Sequence, residues 1–125
     1  MGLGSSRRGV EGEQLACDFL EKRGYEIVAR NFNCRSGEVD VIARDGATTV
    51  FVEVKERRGT SHGAGYDAVT YEKRTRIVRA ARLFASQHGL EEQPLRFDVI
   101  SIQHRAEGGA PDVRHDAGAF DAEGR

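Results

Sequence analysis

The stretch GEVDVIARDGATTVFVEVK, residues 37–55, decides the fold. Residues 37–44 and 48–55 each alternate apolar with polar or charged side chains, which is typical of strands with one buried face. Between them Asp45-Gly46 is a strong signal for a tight turn. The stretch therefore predicts an antiparallel hairpin.

The flanking sequence adds two helices and two further strands. A helix over residues 10–23 ends at Gly24, and a second runs from Asp67 or Thr70 to His88. Strands are predicted at residues 25–32 and 95–102. The element order α-β-β-β-α-β predicts an α/β domain with a mixed central sheet flanked by helices.

Length and composition indicate one folded domain. The chain has 125 residues, 38% hydrophobic and 31% charged, with a net charge of −1, so it can bury a core. It has no apolar run of the roughly 18–20 residues that a membrane span needs. Two cysteines are too few for a secreted disulfide scaffold, and the N-terminus lacks the apolar region of a signal peptide. We therefore expect a cytoplasmic protein without a membrane partner.

The domain is expected to occupy residues 10–102. Residues 1–9 are rich in Gly, Ser and Arg and predict a flexible N-terminus. Residues 103–125 combine Gly108-Gly109 with scattered acids and little apolar periodicity. This composition predicts a disordered C-terminal tail.

Charge is unevenly distributed along the chain. Residues 55–82 hold eight Lys and Arg against three Asp and Glu, a local charge of +5. Such a patch is typical of a nucleic-acid partner, although Lys73 could instead extend from an apolar helix face into water, and the arginines could protect a sheet edge. The candidate phosphate contacts are Arg57, Arg58, Lys73, Arg74 and Arg76.

The hairpin also concentrates chemically active side chains. Glu53 and Lys55 lie two residues apart on one strand face, and pairing around the turn brings Asp40 near Glu53. Two close carboxylates raise each other's pKa, and a divalent cation relieves the repulsion. Oxygen ligands favour Mg²⁺ or Mn²⁺ over zinc, since the histidines have no ligand spacing. Lys55 could stabilise developing charge or help to deprotonate a water.

Other polar residues carry weaker signals. Glu13 lies on the apolar face of the first helix rather than on its solvated face. Glu38 fits a charge at a strand start, His62 a solvated loop residue, and Asp98 a structural partner of a nearby arginine. Alternating charges such as Glu53 and Lys55 are by themselves common on exposed strands.

A series of short motifs runs through the chain in this order: Gly12-Glu13, Ala16, Leu20, Gly24-Tyr25, Arg30-Asn31, residues 37–42, residues 51–55, Val69, Lys73 and residues 96–99. Taken in order, these motifs closely resemble the YraN family of small bacterial proteins. The resemblance covers roughly residues 9–102 and implies a restriction-endonuclease-like fold. Asp40 followed by Glu53-Val54-Lys55 is similar to the PD-(D/E)xK nuclease motif, with Val39 where the proline would stand. The resemblance implies Asp40, Glu53 and Glu13 as metal ligands and catalytic acids, and Lys55 as the catalytic lysine.

Three functional hypotheses follow. The first is a Mg²⁺- or Mn²⁺-dependent DNA endonuclease, a phosphodiester hydrolase for branched or damaged DNA. The second is a non-catalytic nucleic-acid-binding module on a nuclease fold. The third is a protein-interaction domain that uses the acidic tail. One site per chain is compatible with a homodimer acting on two strands.

Overall fold

The predicted hairpin lies within a five-stranded mixed sheet. The computed structural model describes residues 7–59 and 69–125, and the strand order across its sheet is β1-β2-β3-β4-β5. The elements are α1 (Arg7–Lys22), β1 (Glu26–Cys34), β2 (Gly37–Asp45), β3 (Thr48–Arg57), α2 (Tyr71–Gln87), β4 (Leu95–Gln103) and β5 (Asp112–Phe120).

The turn chemistry at the centre of the sheet is as predicted. Strands β2 and β3 pair antiparallel from Val41 opposite Val52 to Asp45 opposite Thr48. Gly46 has φ +62°, a left-handed conformation that glycine adopts without steric cost. The tight connection fixes the register, and the register determines which side chains share a face.

The second helix connects two parallel strands. Strand β4 pairs parallel to β3, and α2 lies between them in the sequence. The hydroxyl of Thr70 accepts the Lys73 backbone N–H at 3.1 Å, which caps the start of α2. The predicted helix end near His88 is confirmed, because α2 ends at Gln87.

Two hydrophobic clusters place the helices on opposite faces of the sheet. The first packs α2 residues such as Ile77 and Phe84 against Phe51 and Phe97. The second packs α1 against the strand residues that alternate with those of the first cluster, including Val50 and Val52. The two helices and the sheet therefore form an α/β/α arrangement. Neither helix in the described parts of the chain has the length and apolar content that a membrane span requires.

Strict alternation fails at the start of β2. The sequence places Val39 and Val41 on one face, yet Val39 joins the α2 cluster and Val41 the α1 cluster. The ladder with β3 extends only as far as Val41, so residues before it are not held in its register. Gly37 lies directly under α2, where an added Cβ would come within 2.0 Å of the Arg76 carbonyl oxygen.

The prediction of a disordered C-terminal tail is wrong. Residues 112–120 form β5, an edge strand antiparallel to β4, and the folded domain therefore extends beyond residue 102. The Phe120 ring stacks on Phe97 with centroids 5.2 Å apart. Most β5 side chains are at least partly exposed and do not need to be apolar. The sequence of this strand therefore lacks the apolar run that would have predicted it.

A buried ion cluster fastens β5 to β4 from the α1 face. The Asp98 side chain is fully buried and accepts two hydrogen bonds from Arg96, both at 2.9 Å. It also lies 2.7 Å from His115 Nε2 and accepts the Gly118 N–H at 3.0 Å. The structural role predicted for Asp98 is confirmed, and these contacts help to explain why an apolar-poor segment is ordered.

The N-terminal boundary also differs from the prediction. Helix α1 begins at Arg7 rather than at Val10, so only part of the expected flexible segment precedes it. Arginine is a good helix former, and one glycine in a helix costs only about 1 kcal/mol. Residues 1–6 and the segment 60–68, which includes His62 and Asp67, lie outside the described residues.

Candidate active site

Asp40 and Glu53 meet where the β2–β3 ladder ends. Asp40 lies one residue before Val41, the last β2 residue paired with β3, and its side chain bridges from β2 to β3. Asp40 Oδ2 accepts the backbone N–H of Val54 at 2.8 Å, and the two carboxyl groups are hydrogen-bonded to each other. The sequence-based juxtaposition of these acids is thus found in the structure.

This pair carries unusual electrostatics. Glu53 is only 6% exposed, and burial, together with the neighbouring Asp40, raises its pKa to about 7. Burial also raises the pKa of Asp40. Lys73 opposes the rise at Glu53, since its Nζ lies 3.3 Å from Glu53 Oε2. Two carboxyl groups this close repel each other when both are ionised, and a bound cation would relieve that repulsion.

Glu13 approaches the same region from α1. Asn31 Nδ2 donates a hydrogen bond to Glu13 Oε1 at 2.8 Å and so fixes the direction of the carboxylate. Burial raises the pKa of Glu13, and the charge of Asp40 adds to the rise. Asn31 has φ +51°, a conformation that asparagine tolerates better than most residues. The Arg30-Asn31 motif does not by itself indicate that Asn31 orients the Glu13 carboxylate.

Lys55 lies on the Glu53 face of β3, two residues further along the strand. Its half-buried side chain lines a cavity that β4 and β5 complete. Val54, between them, packs against the α1 cluster as expected. Glu53 and Lys55 therefore border one surface region. The candidate metal ligands lie at one end of this region and the cavity lies at the other.

The donor set suits a hard cation. Within residues 7–59 and 69–125, no three Asp, Glu, His or Cys side chains converge closely enough to enclose a metal ion. Magnesium commonly takes only one or two carboxylates and completes its shell with water and phosphate oxygens. The Asp40–Glu53 pair fits that requirement, and Glu13 lies near enough to act electrostatically on it.

Two histidines in the described part of the chain have other partners. His104 Nε2 lies 2.5 Å from Glu56 Oε2, on the α1 face. His115 is 2.7 Å from Asp98 Oδ2. Neither histidine contacts the Asp40–Glu53 pair.

The five basic candidates lie in different environments. Lys73 pairs with Glu53, and Arg58 pairs with Glu11 at 2.6 Å. Arg74 donates to the Gly124 carbonyl at 2.6 Å and to that of Val69, so it links α2 to the C-terminus. Arg57 lines the cavity beside Lys55, and Arg76 is exposed on α2.

Two further residues near Lys55 come from segments with no recognisable motif. Ser101 on β4 lies opposite Lys55, and Arg114 on β5 lies opposite Ser101. Arg114 falls in the segment predicted to be disordered, so its placement depends on the pairing of β5. Placing Arg114 from the sequence would have required the prediction of a strand at residues 112–120, and the composition of that segment does not indicate one.

Fold and site together define an α/β protein with a buried glutamate in contact with a partly buried aspartate, a lysine on the same sheet face and basic residues nearby. The model of a family described as "Uncharacterised protein family UPF0102" matches residues 12–102. The chain belongs to this family, which is the YraN family that its motifs resemble.

Relatives confirm this membership over most of the chain. A UPF0102 protein of Symbiobacterium thermophilum is 48% identical over 104 residues, covering 83% of this chain and 88% of the relative. One of Nocardia farcinica is 53% identical over 94 residues, covering 75% and 74%. Another, of Geobacter sulfurreducens, is 46% identical over 113 residues, covering 90% and 88%.

Proposed function

We propose that this chain is a Mg²⁺- or Mn²⁺-dependent endonuclease of the PD-(D/E)xK type, with a restriction-endonuclease-like core. It would hydrolyse phosphodiester bonds in DNA, including branched or damaged DNA. The observation that carries the proposal is the contact between the Asp40 carboxyl group and the buried Glu53, whose pKa is raised to about 7, with Lys55 on the same strand face as Glu53. A buried acid costs folding energy unless a counter-charge or hydrogen bonds offset it, and a bound cation would add to the contact that Glu53 makes with Lys73.

Each residue has a distinct role in this proposal. Asp40 and Glu53 would hold the cation, and Glu13 would add a third negative charge from α1. The cation would polarise the phosphate and lower the pKa of a water. Lys55 would stabilise negative charge that develops on the phosphate, or accept a proton from the attacking water.

Lys73 has a place in the same scheme. Its ammonium group neutralises part of the carboxylate charge in the structure, 3.3 Å from Glu53 Oε2. A cation bound by Glu53 would compete for that oxygen and leave the Lys73 side chain, 42% exposed, able to turn towards a phosphate. This movement fits the prediction of Lys73 as a nucleic-acid contact.

A non-catalytic nucleic-acid-binding module is the second candidate. The observation that favours it is the same Lys73–Glu53 ion pair, because it satisfies one buried acid without any metal. In that case Arg57 and Arg76 would contact the nucleic-acid backbone, and the acids would only position Lys73. The two candidates differ in whether the carboxylates bind a divalent cation.

The test combines metal binding with cleavage. Purified wild type, Glu53→Gln and the exposed control Glu92→Gln would be titrated with Mn²⁺ by calorimetry. The same proteins would be incubated with labelled linear, single-stranded, flap and four-way-junction DNA in Mg²⁺ or Mn²⁺. An endonuclease requires Mn²⁺ binding and cleavage by wild type and the control, with both lost in Glu53→Gln. Salt-sensitive DNA binding without cleavage or metal binding by any of these proteins would establish the binding module instead.

A further inference from the structure

The sheet face that carries Glu53 continues past the carboxylates into a second polar region. Lys55 on β3 pairs with Ser101 on β4, and Ser101 pairs with Arg114 on β5. Neighbouring strands lie roughly 4.8 Å apart, so these three residues form one row across the sheet. All three line the cavity beside Lys55.

A second row borders the same cavity. Arg57 pairs with Gln103, and Gln103 pairs with Asp112. Asp112 is already engaged by Arg105 at 2.7 Å, which offsets its negative charge. The cavity lining therefore includes three cationic side chains and a serine hydroxyl, whereas the Gln103 amide group donates to the carbonyls of Gly59 and His104. The residues from the two rows are Lys55, Arg57, Ser101, Gln103, Asp112 and Arg114.

Such a combination matches the chemistry of a phosphate group. Arginine and lysine donate charge-assisted hydrogen bonds to phosphate oxygens, and a serine hydroxyl adds a neutral donor. Arg114 also contacts Asp116, with Nε 3.2 Å from Oδ1 and both side chains well exposed. Exposed ion pairs of this kind contribute little, so the guanidinium can exchange this partner for a phosphate.

We propose that this cavity is a subsite for a backbone phosphate of the nucleic acid, contacted by Arg114 and Ser101. The proposal rests on the proposed nucleic-acid substrate and extends its binding surface onto β5. Glu53 and Lys55 are two residues apart, roughly 7 Å along the strand. Arg114 lies two strands further across the sheet, roughly 10 Å from Lys55, so the subsite would hold a phosphate other than the one being cleaved.

The experiment measures DNA binding rather than cleavage. Dissociation constants for a labelled duplex and a labelled four-way junction would be determined in EDTA at several salt concentrations. The variants are Arg114→Gln, Arg114→Lys and Ser101→Ala. Arg44→Gln is the matched control, because Arg44 is an exposed arginine beside the β2–β3 turn, at the opposite end of the hairpin from Lys55. Thermal unfolding of each variant would verify that the fold is retained.

Arg114→Gln is expected to weaken binding about tenfold and to reduce the slope of log K against log salt by about 0.9, one phosphate contact. Arg114→Lys should keep the wild-type slope, and Ser101→Ala should weaken binding without changing the slope. If Arg114→Gln binds like Arg44→Gln while wild type binds DNA, the subsite is excluded and the proposed function stands. If wild type binds no nucleic acid, both proposals fail.

Discussion

The carboxylate of Asp40 accepts the backbone N–H of Val54 at 2.8 Å, at the position where the β2–β3 ladder stops. A side chain therefore satisfies a strand amide next to the last backbone pair of the hairpin. The contact fixes one oxygen of Asp40 and holds the carboxyl group against Glu53. The position of the acidic pair thus depends on a local feature of the hairpin.

Removal of Asp40 should impair metal binding more than folding. Asp40→Ala is expected to weaken Mn²⁺ binding by at least about tenfold, the loss seen even for residues that only support metal ligands. Isothermal titration calorimetry measures this, with Glu38→Ala as the control because Glu38 is exposed at the start of the same strand. Equal Mn²⁺ affinities for Asp40→Ala and wild type would remove Asp40 from the metal site.

Metal-free protein should lose stability as the pH rises. Glu53 has a pKa of about 7 when folded against an ordinary value of 4.5, so its favourable contribution is fully present below pH 4.5 and is lost as the pH rises through 7. The shift corresponds to about 3 kcal/mol in the free energy of unfolding. Urea unfolding in EDTA at pH 5 and pH 8 would measure the loss. The neutral variant Glu53→Gln should show a much smaller difference, and an equal difference would contradict the assignment to Glu53.

Lys73 should lower the pKa of Glu53 through their ion pair. In Lys73→Met, which keeps an apolar stem but removes the charge, the pKa of Glu53 is expected to rise further. Carboxyl-carbon NMR titration of metal-free protein would detect the change. Arg76→Met, on the exposed side of α2, serves as the control and should leave the titration of Glu53 unchanged. A titration unaltered by Lys73→Met would mean that the ion pair does not persist in solution.

Lys55 should separate metal binding from cleavage. Because Lys55 is assigned to charge stabilisation and not to ligation, Lys55→Ala is expected to retain its Mn²⁺ affinity and its unfolding temperature. Cleavage of the best DNA substrate should fall by about 10²-fold or more, the usual contribution of a positioned acid–base or electrostatic group. Single-turnover cleavage assays would measure this loss. Cleavage at the wild-type rate would assign the charge stabilisation to another residue.

Loss of Asp98 should destabilise the fold without a direct effect on the site. Asp98→Ala leaves Arg96 and His115 without their buried partner, which typically costs about 3–5 kcal/mol when a buried pair is broken. Denaturant unfolding would measure it against the exposed control Glu92→Ala, which should change stability by less than about 0.5 kcal/mol. Hydrogen exchange should show that β5 amides lose protection most. Retained protection of β5 would contradict the role of this cluster.

Truncation of the chain after residue 102 would not test a binding role of the acidic segment by itself, because the deleted residues include β5. The deletion would remove a paired strand, Phe120 from the α2 cluster and His115 from its contact with Asp98. Loss of a partner in such a variant would therefore report unfolding as much as a binding role of the acidic segment. Point substitutions on exposed β5 positions are the better test of a protein-interaction hypothesis.

The sequence alone determined the parts of this protein that depend on local patterns. Alternation and Asp45-Gly46 specified the hairpin, periodicity located the two helices, and Gly24 marked the end of the first. The strand period brought Asp40, Glu53 and Lys55 to neighbouring positions. These features were predictable because each depends on residues close in the chain or paired through one short turn.

Only the tertiary structure decided the remainder. Strand β5 is ordered by Asp98, a buried acid that lies 17 residues before its partner His115, and by Phe120 stacking on Phe97. The raised pKa of Glu53 likewise depends on its burial to 6% exposure beneath distant elements. Burial and long-range pairing depend on residues that are far apart in the sequence. The composition and periodicity of a single stretch therefore do not predict them.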